Sequence, residues 1–151
     1  MSTRYFDDFT TGQVIELGRH TITKESILAF AREFDPQVFH TDEEAAKKTI
    51  FGGLIASGWH TGSIAMRLLY DGLIKHTVSL GSPGLDELRW VKPVRPDDTL
   101  SARLTVVEMT PSRSKPDRGI VRTLIELSNQ HGEIVVTIRG LSLLGRRTPA
   151  R

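Results

Sequence analysis

Residues 58–73 read GWHTGSIAMRLLYDGL, a run that is apolar around most of its circumference when wound as a helix. A helix of that kind belongs in a protein interior. After Gly72 the chain changes character. Residues 85–91, 100–110, 120–129 and 133–144 read as strands. In the second of these, Leu100, Ala102, Leu104 and Val106 alternate with Ser101, Arg103 and Thr105, the period of two of a half-buried strand. Pro93, Pro96 and Asp97-Asp98 mark a turn, residues 111–119 a longer loop, and Gln130-His131-Gly132 a tight hairpin.

Upstream of the apolar run, residues 13–21 read as a first strand. Thr23 is a plausible N-cap for a helix carrying Ile27, Leu28, Phe30, Ala31 and Phe34 at helical spacing. That helix must stop at Asp35-Pro36, because proline drives the residue before it towards extended backbone. A short second helix is expected after Thr41 or Asp42, through Lys48, with acidic residues leading and lysines ending it, as the helix dipole favours. One strand, helices including a buried long one, then four consecutive strands make an α+β layout. An antiparallel sheet wrapped around one long buried helix covers the apolar surface of both.

The 151 residues are expected to form a single domain, 1–151, with a flexible tail from about residue 146. There is no cysteine, which excludes disulfides, thiolate zinc sites and cysteine nucleophiles. The opening MSTRYFDDFTTG contains no leader-like apolar run, and no stretch approaches the ~20 apolar residues of a membrane span. The expected location is the cytoplasm, with no membrane partner. Net charge is +2, with cations gathered at Arg113, Lys115 and Arg118 and at the C-terminus. A solvated hairpin tip and frayed terminus is the plain reading. Nucleic acid is not expected as a partner, since no basic helix or recognition motif accompanies these charges.

Chemistry concentrates between Phe30 and Trp59. Asp35 and His40 stand five residues apart on what reads as one short irregular loop, and Ser57-Gly58 opens the apolar helix. The start of that helix offers free N–H groups and positive dipole charge to a developing anion. An acid, a base and an oxyanion donor point to proton transfer beside a carbonyl. Each has a structural alternative: a turn aspartate beside proline, a packed histidine, and a glycine admitting close approach at a helix start. Asp42 reads as a helix cap that could also hold His40. His60, in the first turn of the buried helix, reads as structural. No G-x-S-x-G elbow, Walker loop, G-x-G-x-x-G or H-E-x-x-H occurs, so neither a metal nor a bound redox cofactor is expected.

This set resembles the MaoC-like dehydratases, the hot-dog-fold family that includes the (R)-specific enoyl-CoA hydratases. The family pattern of Asp, four residues, His, an x-Asp step, an alanine-bearing helix and Phe-Gly-x-x-Ile-Ala-x-Gly falls on Asp35, His40, Asp42, Ala45, Ala46, Phe51 to Ala56 and Gly58. The likeness extends to residues 5–9 and 89–98, and covers roughly 5–144. Where the (R)-hydratases carry Asn-Pro between Asp and His, this chain carries Pro36-Gln37.

The resemblance implies a hot-dog domain that reversibly hydrates a trans-2-enoyl-CoA to an (R)-3-hydroxyacyl-CoA. His40 is then expected to take a proton from water, Asp35 to orient that water and protonate the α carbon, and the Gly58 N–H to hold the enolate oxygen. Coenzyme A enters only as part of the substrate, its phosphates meeting Arg95, Arg113, Lys115 and Arg118. Trp59, Met66, Leu69 and Tyr70 are candidate walls of the acyl pocket. A homodimer or dimer of dimers is implied, since an edge strand must be covered or paired. The alternatives are a hot-dog thioesterase and a non-catalytic acyl-CoA-binding or pairing subunit.

Overall fold

A computed structural model describes residues 2–147. Strand β1 (Val14–Thr21) leads into helix α1 (Lys24–Phe34), then two single-turn helices, α2 (Val38–Thr41) and α3 (Glu43–Ala46). The long helix α4 (Gly58–Gly72) follows, and then β2 (Leu85–Trp90), β3 (Thr99–Pro111), β4 (Arg118–Ser128) and β5 (Ile134–Gly145). All five strands form one antiparallel sheet in the order β1-β3-β4-β5-β2. With α4 packed on it, this is the hot-dog arrangement.

Local signals account for most boundaries. The Thr23 hydroxyl accepts from the Ser26 N–H at 3.1 Å, and the Ser26 hydroxyl accepts in return from the Thr23 N–H, so α1 begins with a reciprocal cap. The alternation in β3 holds, with Leu100, Ala102, Leu104 and Val106 all buried. They meet Ile22, Ile27, Leu127, Val135 and Val136 in the core, where each large aliphatic side chain is worth about 1.5–3 kcal/mol.

Four expectations need correction. α3 ends at Ala46 and not at Lys48, because the Thr49 hydroxyl donates to the Ala46 carbonyl and closes the turn. β4 starts at Arg118, two residues early, because β3 runs on to Pro111 and draws Gly119 into its ladder. α4 is not enclosed all round. Its Thr61, Ile64, Ala65 and Leu68 face is buried, while Trp59 (60%), Met66 (52%) and Tyr70 (48%) remain substantially exposed. Met66 and Leu69 border an apolar cavity of about 250 Å³ between the helix and β4 and β5. Finally, residues 146–147 are fastened down. Arg146 pairs with Asp7 at 2.8 Å and Arg147 with Asp8 at 2.7 Å. The remainder of the expected tail, 148–151, lies outside the described residues.

The far end of α4 is docked by close approach. A Cβ at Gly72 would stand 2.6 Å from the Leu17 carbonyl oxygen, so only glycine lets the helix reach β1. Among the described residues, no helix is long and apolar enough to cross a membrane.

Candidate active site

The site is built where α1 stops. Asp35 is the C-cap of α1, Pro36 prevents continuation, and Gln37, in extended backbone, starts the α2 turn. His40 therefore sits on a helical turn and not on an irregular loop. That turn folds the ring back so that Nε2 lies 3.2 Å from Asp35 Oδ2. His40 is buried, and its Nδ1 is 2.7 Å from the Ile55 carbonyl oxygen. A carbonyl can only accept, so Nδ1 carries a proton and Nε2 is the edge turned to Asp35. Phe39 packs edge-on against the imidazole, ring centres 4.6 Å apart. Asp42 does not hold His40. Its carboxylate caps α3 through the Ala45 N–H at 2.9 Å, and the Ile55 carbonyl orients the imidazole instead.

Two further groups converge on Asp35. The Ser57 hydroxyl, on a fully buried residue, donates to Oδ2 at 2.7 Å, and the Gln37 amide donates to Oδ1 at 2.8 Å. Burial alone would raise the Asp35 pKa. The hydrogen bonds from Gln37 and Ser57, together with His40, outweigh it and hold the carboxyl below its ordinary value. Ser57 stands at the N-cap of α4 but makes no side-chain cap there. Its hydroxyl serves the carboxylate, and no hydrogen bond among the described residues takes the Gly58 or Trp59 N–H. The positive end of the helix is thus left open toward the cleft.

Ser57→Ala would remove a donor to ionised Asp35 and raise its pKa. A depressed carboxyl pKa contributes stability above the ordinary value, lost as pH falls through the folded value. The acid limb of kcat/KM is therefore expected to move to higher pH in Ser57→Ala, and acid unfolding to begin at higher pH. Superimposable pH profiles would show that Ser57 does not tune Asp35.

Gly58 does not adopt a left-handed conformation. Glycine is required there by the Trp90 indole, which lies so close that a Cβ would stand 2.2 Å from Cε2. Asp35, Gln37, His40, Gly58, Trp59 and Trp90 line one cleft of about 400 Å³, within the range of small-molecule sites. His60, also buried, stacks on Phe30 with ring centres 4.8 Å apart, and among the described residues its Nδ1 has no partner. Burial, then the charge of His20, lowers its pKa, which suits a packing role.

The expected phosphate contacts are dispersed. The Arg95 guanidinium donates to the Phe51 carbonyl and braces the loop before α4 without lining the cleft. Arg113 and Lys115 lie in the β3–β4 connection, and Arg118 opens β4, all at the opposite end of the sheet. Arg118 pairs across β5 with Gly145, whereas Trp90 pairs with Val136. That offset along β5 corresponds to about 30 Å of extended chain, so within one chain these three do not reach the cleft. Of the expected walls, Trp59 lines the cleft, Met66 and Leu69 line the separate apolar cavity, and Tyr70 lines neither. Lys92, which carries no local signal of a site, also borders the cleft, paired with Glu133.

The family model described as "MaoC like domain" matches residues 8–127. The chain is 37% identical over 142 residues to the uncharacterised protein YdeM of Bacillus subtilis, covering 93% of this chain and 98% of that one. It is 30% identical over 115 residues to an (R)-specific enoyl-CoA hydratase of Rhodospirillum rubrum, covering 72% of this chain and 74% of the relative. Among solved structures, a MaoC-like dehydratase from Rhodospirillum rubrum superposes with a TM-score of 0.86 at 43% identity, covering 96% of this chain and 99% of that one.

Proposed function

This chain belongs to the MaoC-like dehydratase family, and from that premise we propose that it catalyses the reversible hydration of a trans-2-enoyl-CoA to an (R)-3-hydroxyacyl-CoA. The observation that carries the reading is the Asp35–His40 contact at 3.2 Å, sharing one cleft with the open start of α4.

The hydrogen-bonding pattern favours a division of labour opposite to the one expected from sequence. Asp35, held ionised by Gln37 and Ser57, is the acceptor. His40, fixed through Nδ1 on the Ile55 carbonyl, presents Nε2 as the position of the shared proton. Water bound beside the pair loses a proton to the Asp35 carboxylate as its oxygen bonds to the β carbon. The π electrons move toward the thioester, whose oxygen is stabilised by the Gly58 N–H. The proton on Nε2 then passes to the α carbon. The proton gained by Asp35 crosses to Nε2 and restores the pair. Dehydration follows the same path in reverse. One donor to such an oxyanion is worth about 3 kcal/mol.

The test follows enoyl absorbance and free thiol in one cuvette, across a series of 2-enoyl-CoA chain lengths. Loss of absorbance without thiol release is expected. Thiol release would identify a thioesterase, and neither signal across the series would leave a non-catalytic acyl-CoA-binding or pairing subunit.

The same reading includes a homodimer. Edge strands β1 and β2 leave backbone groups unpaired, and Leu85, Trp90 and Val91 beside β2 are about half exposed. Two copies joining their sheets edge to edge would cover them. A monomer mass by light scattering at micromolar concentration would overturn this.

A further inference from the structure

An enolate oxygen has room for more than one donor, and in a water-poor cleft a lone pair left bare is costly. Gly58 supplies one N–H. The nearest side-chain atoms to that glycine all belong to Trp90. Its Cε2, Nε1 and Cδ2 would stand 2.2, 2.3 and 2.6 Å from a Cβ at Gly58, so the pyrrole edge of the indole rests directly against the glycine. Among the described residues, the indole N–H of half-exposed Trp90 has no hydrogen-bond partner within the protein. An unused donor therefore lies beside the open end of α4, in the cleft that also holds Asp35 and His40.

The ring is also held in place. Trp90 is the last residue of β2 and pairs with Val136, and the Val91 N–H beyond it bonds to the Val135 carbonyl at 2.8 Å. On its outer side, Trp59 meets it edge-on at 5.3 Å with planes 80° apart. A donor fixed before substrate arrives needs no reorganisation when charge develops, and the large apolar body of the indole excludes water from the same spot.

On the basis of the enolate chemistry proposed above, we infer that the Trp90 indole N–H is the second donor to the substrate's thioester oxygen. The oxyanion is then held between one backbone N–H, from Gly58, and one side-chain N–H, from Trp90. Trp90 is thereby a catalytic residue and not only a wall of the cleft.

Trp90→Phe keeps an aromatic ring over Gly58 and deletes the N–H. With a turned-over 2-enoyl-CoA, its kcat is expected to fall about 10²-fold, with KM and melting temperature little changed. If the Trp59 backbone N–H were the second donor, the variant would keep most of its kcat, which would overturn the assignment. A second measurement needs no turnover, and it is read on the unaltered chain once a variant has assigned the resonances. The chain has two tryptophans, Trp59 and Trp90, so indole-¹⁵N labelling yields two N–H resonances, assigned with Trp59→Phe. Saturated butyryl-CoA is expected to move the Trp90 resonance downfield, and free coenzyme A, which has no thioester carbonyl, is not. An identical response to both ligands, or no response to either, would overturn the proposal. If the wild type hydrated no enoyl-CoA while butyryl-CoA still shifted Trp90, the hydration reading would fall and the donor assignment would stand.

Discussion

Gly58→Ala is expected to lose about 10²- to 10³-fold in kcat/KM with only a modest drop in melting temperature. The added methyl would stand 2.2–2.6 Å from three atoms of the Trp90 indole, closer than any real contact permits. Because Gly58 has no left-handed backbone, the whole penalty is this collision and none of it is conformational strain. Overpacking typically costs about 1–3 kcal/mol. Trp90 is about half exposed, so the added methyl would push the braced indole from its place toward solvent, which puts the stability cost toward the low end. That displacement opens the cleft over the start of α4 and removes the surface against which the thioester must lie.

The double variant Gly58→Ala/Trp90→Ala separates these effects. It relieves the collision and should recover thermal stability, while kcat/KM stays low. Melting temperature and kcat/KM are to be read on the same preparation. A Gly58→Ala protein both stable and fully active would remove Gly58 from the site.

Asp35→Asn and His40→Ala are each expected to lower kcat by about 10²- to 10⁴-fold. The asparagine still meets Ser57 and Gln37 but cannot take a proton from water. The alanine removes the shared proton's position and leaves the Ile55 carbonyl unpaired in a buried setting, so His40→Ala should also cost about 1–3 kcal/mol of stability. Since both side chains serve a single addition, the double variant should be little worse than the worse single one. Losses that multiply would mean that Asp35 and His40 act on separate steps. Circular dichroism melts on all three proteins separate catalytic loss from unfolding.

Part of the site is legible in the amino-acid sequence because its parts are close along the chain. Asp35 and His40 are five apart, and Pro36 ends α1 between them, so a short turn suffices to join them. The start of α4 is legible through the Ser57-Gly58 step before an apolar run. The proton roles are not legible there, because they depend on what each side chain's second atom touches. His40 is oriented by a carbonyl fifteen residues away, and Asp35 is clamped by a serine twenty-two residues away. A serine at a helix start normally reads as a cap, and nothing local shows that its hydroxyl has been diverted to a distant carboxylate.

The amino-acid sequence by itself determined the five strands and helices α1, α3 and α4 in their order, through periodicity, caps and proline, which act within a few residues, but not the α2 turn that carries His40. It also determined the Asp35–His40 pairing, for the same reason of range. Only the tertiary structure decided that Trp90 covers Gly58, that Arg95 braces a loop, and that Arg113, Lys115 and Arg118 stand at the far end of the sheet. Those placements follow from strand order and register, set by burying one face of a five-stranded sheet against one helix and leaving the other outward. Sliding a strand by one residue would exchange every side chain between those faces. Such a choice is made by the whole core at once, and no single stretch of sequence records it.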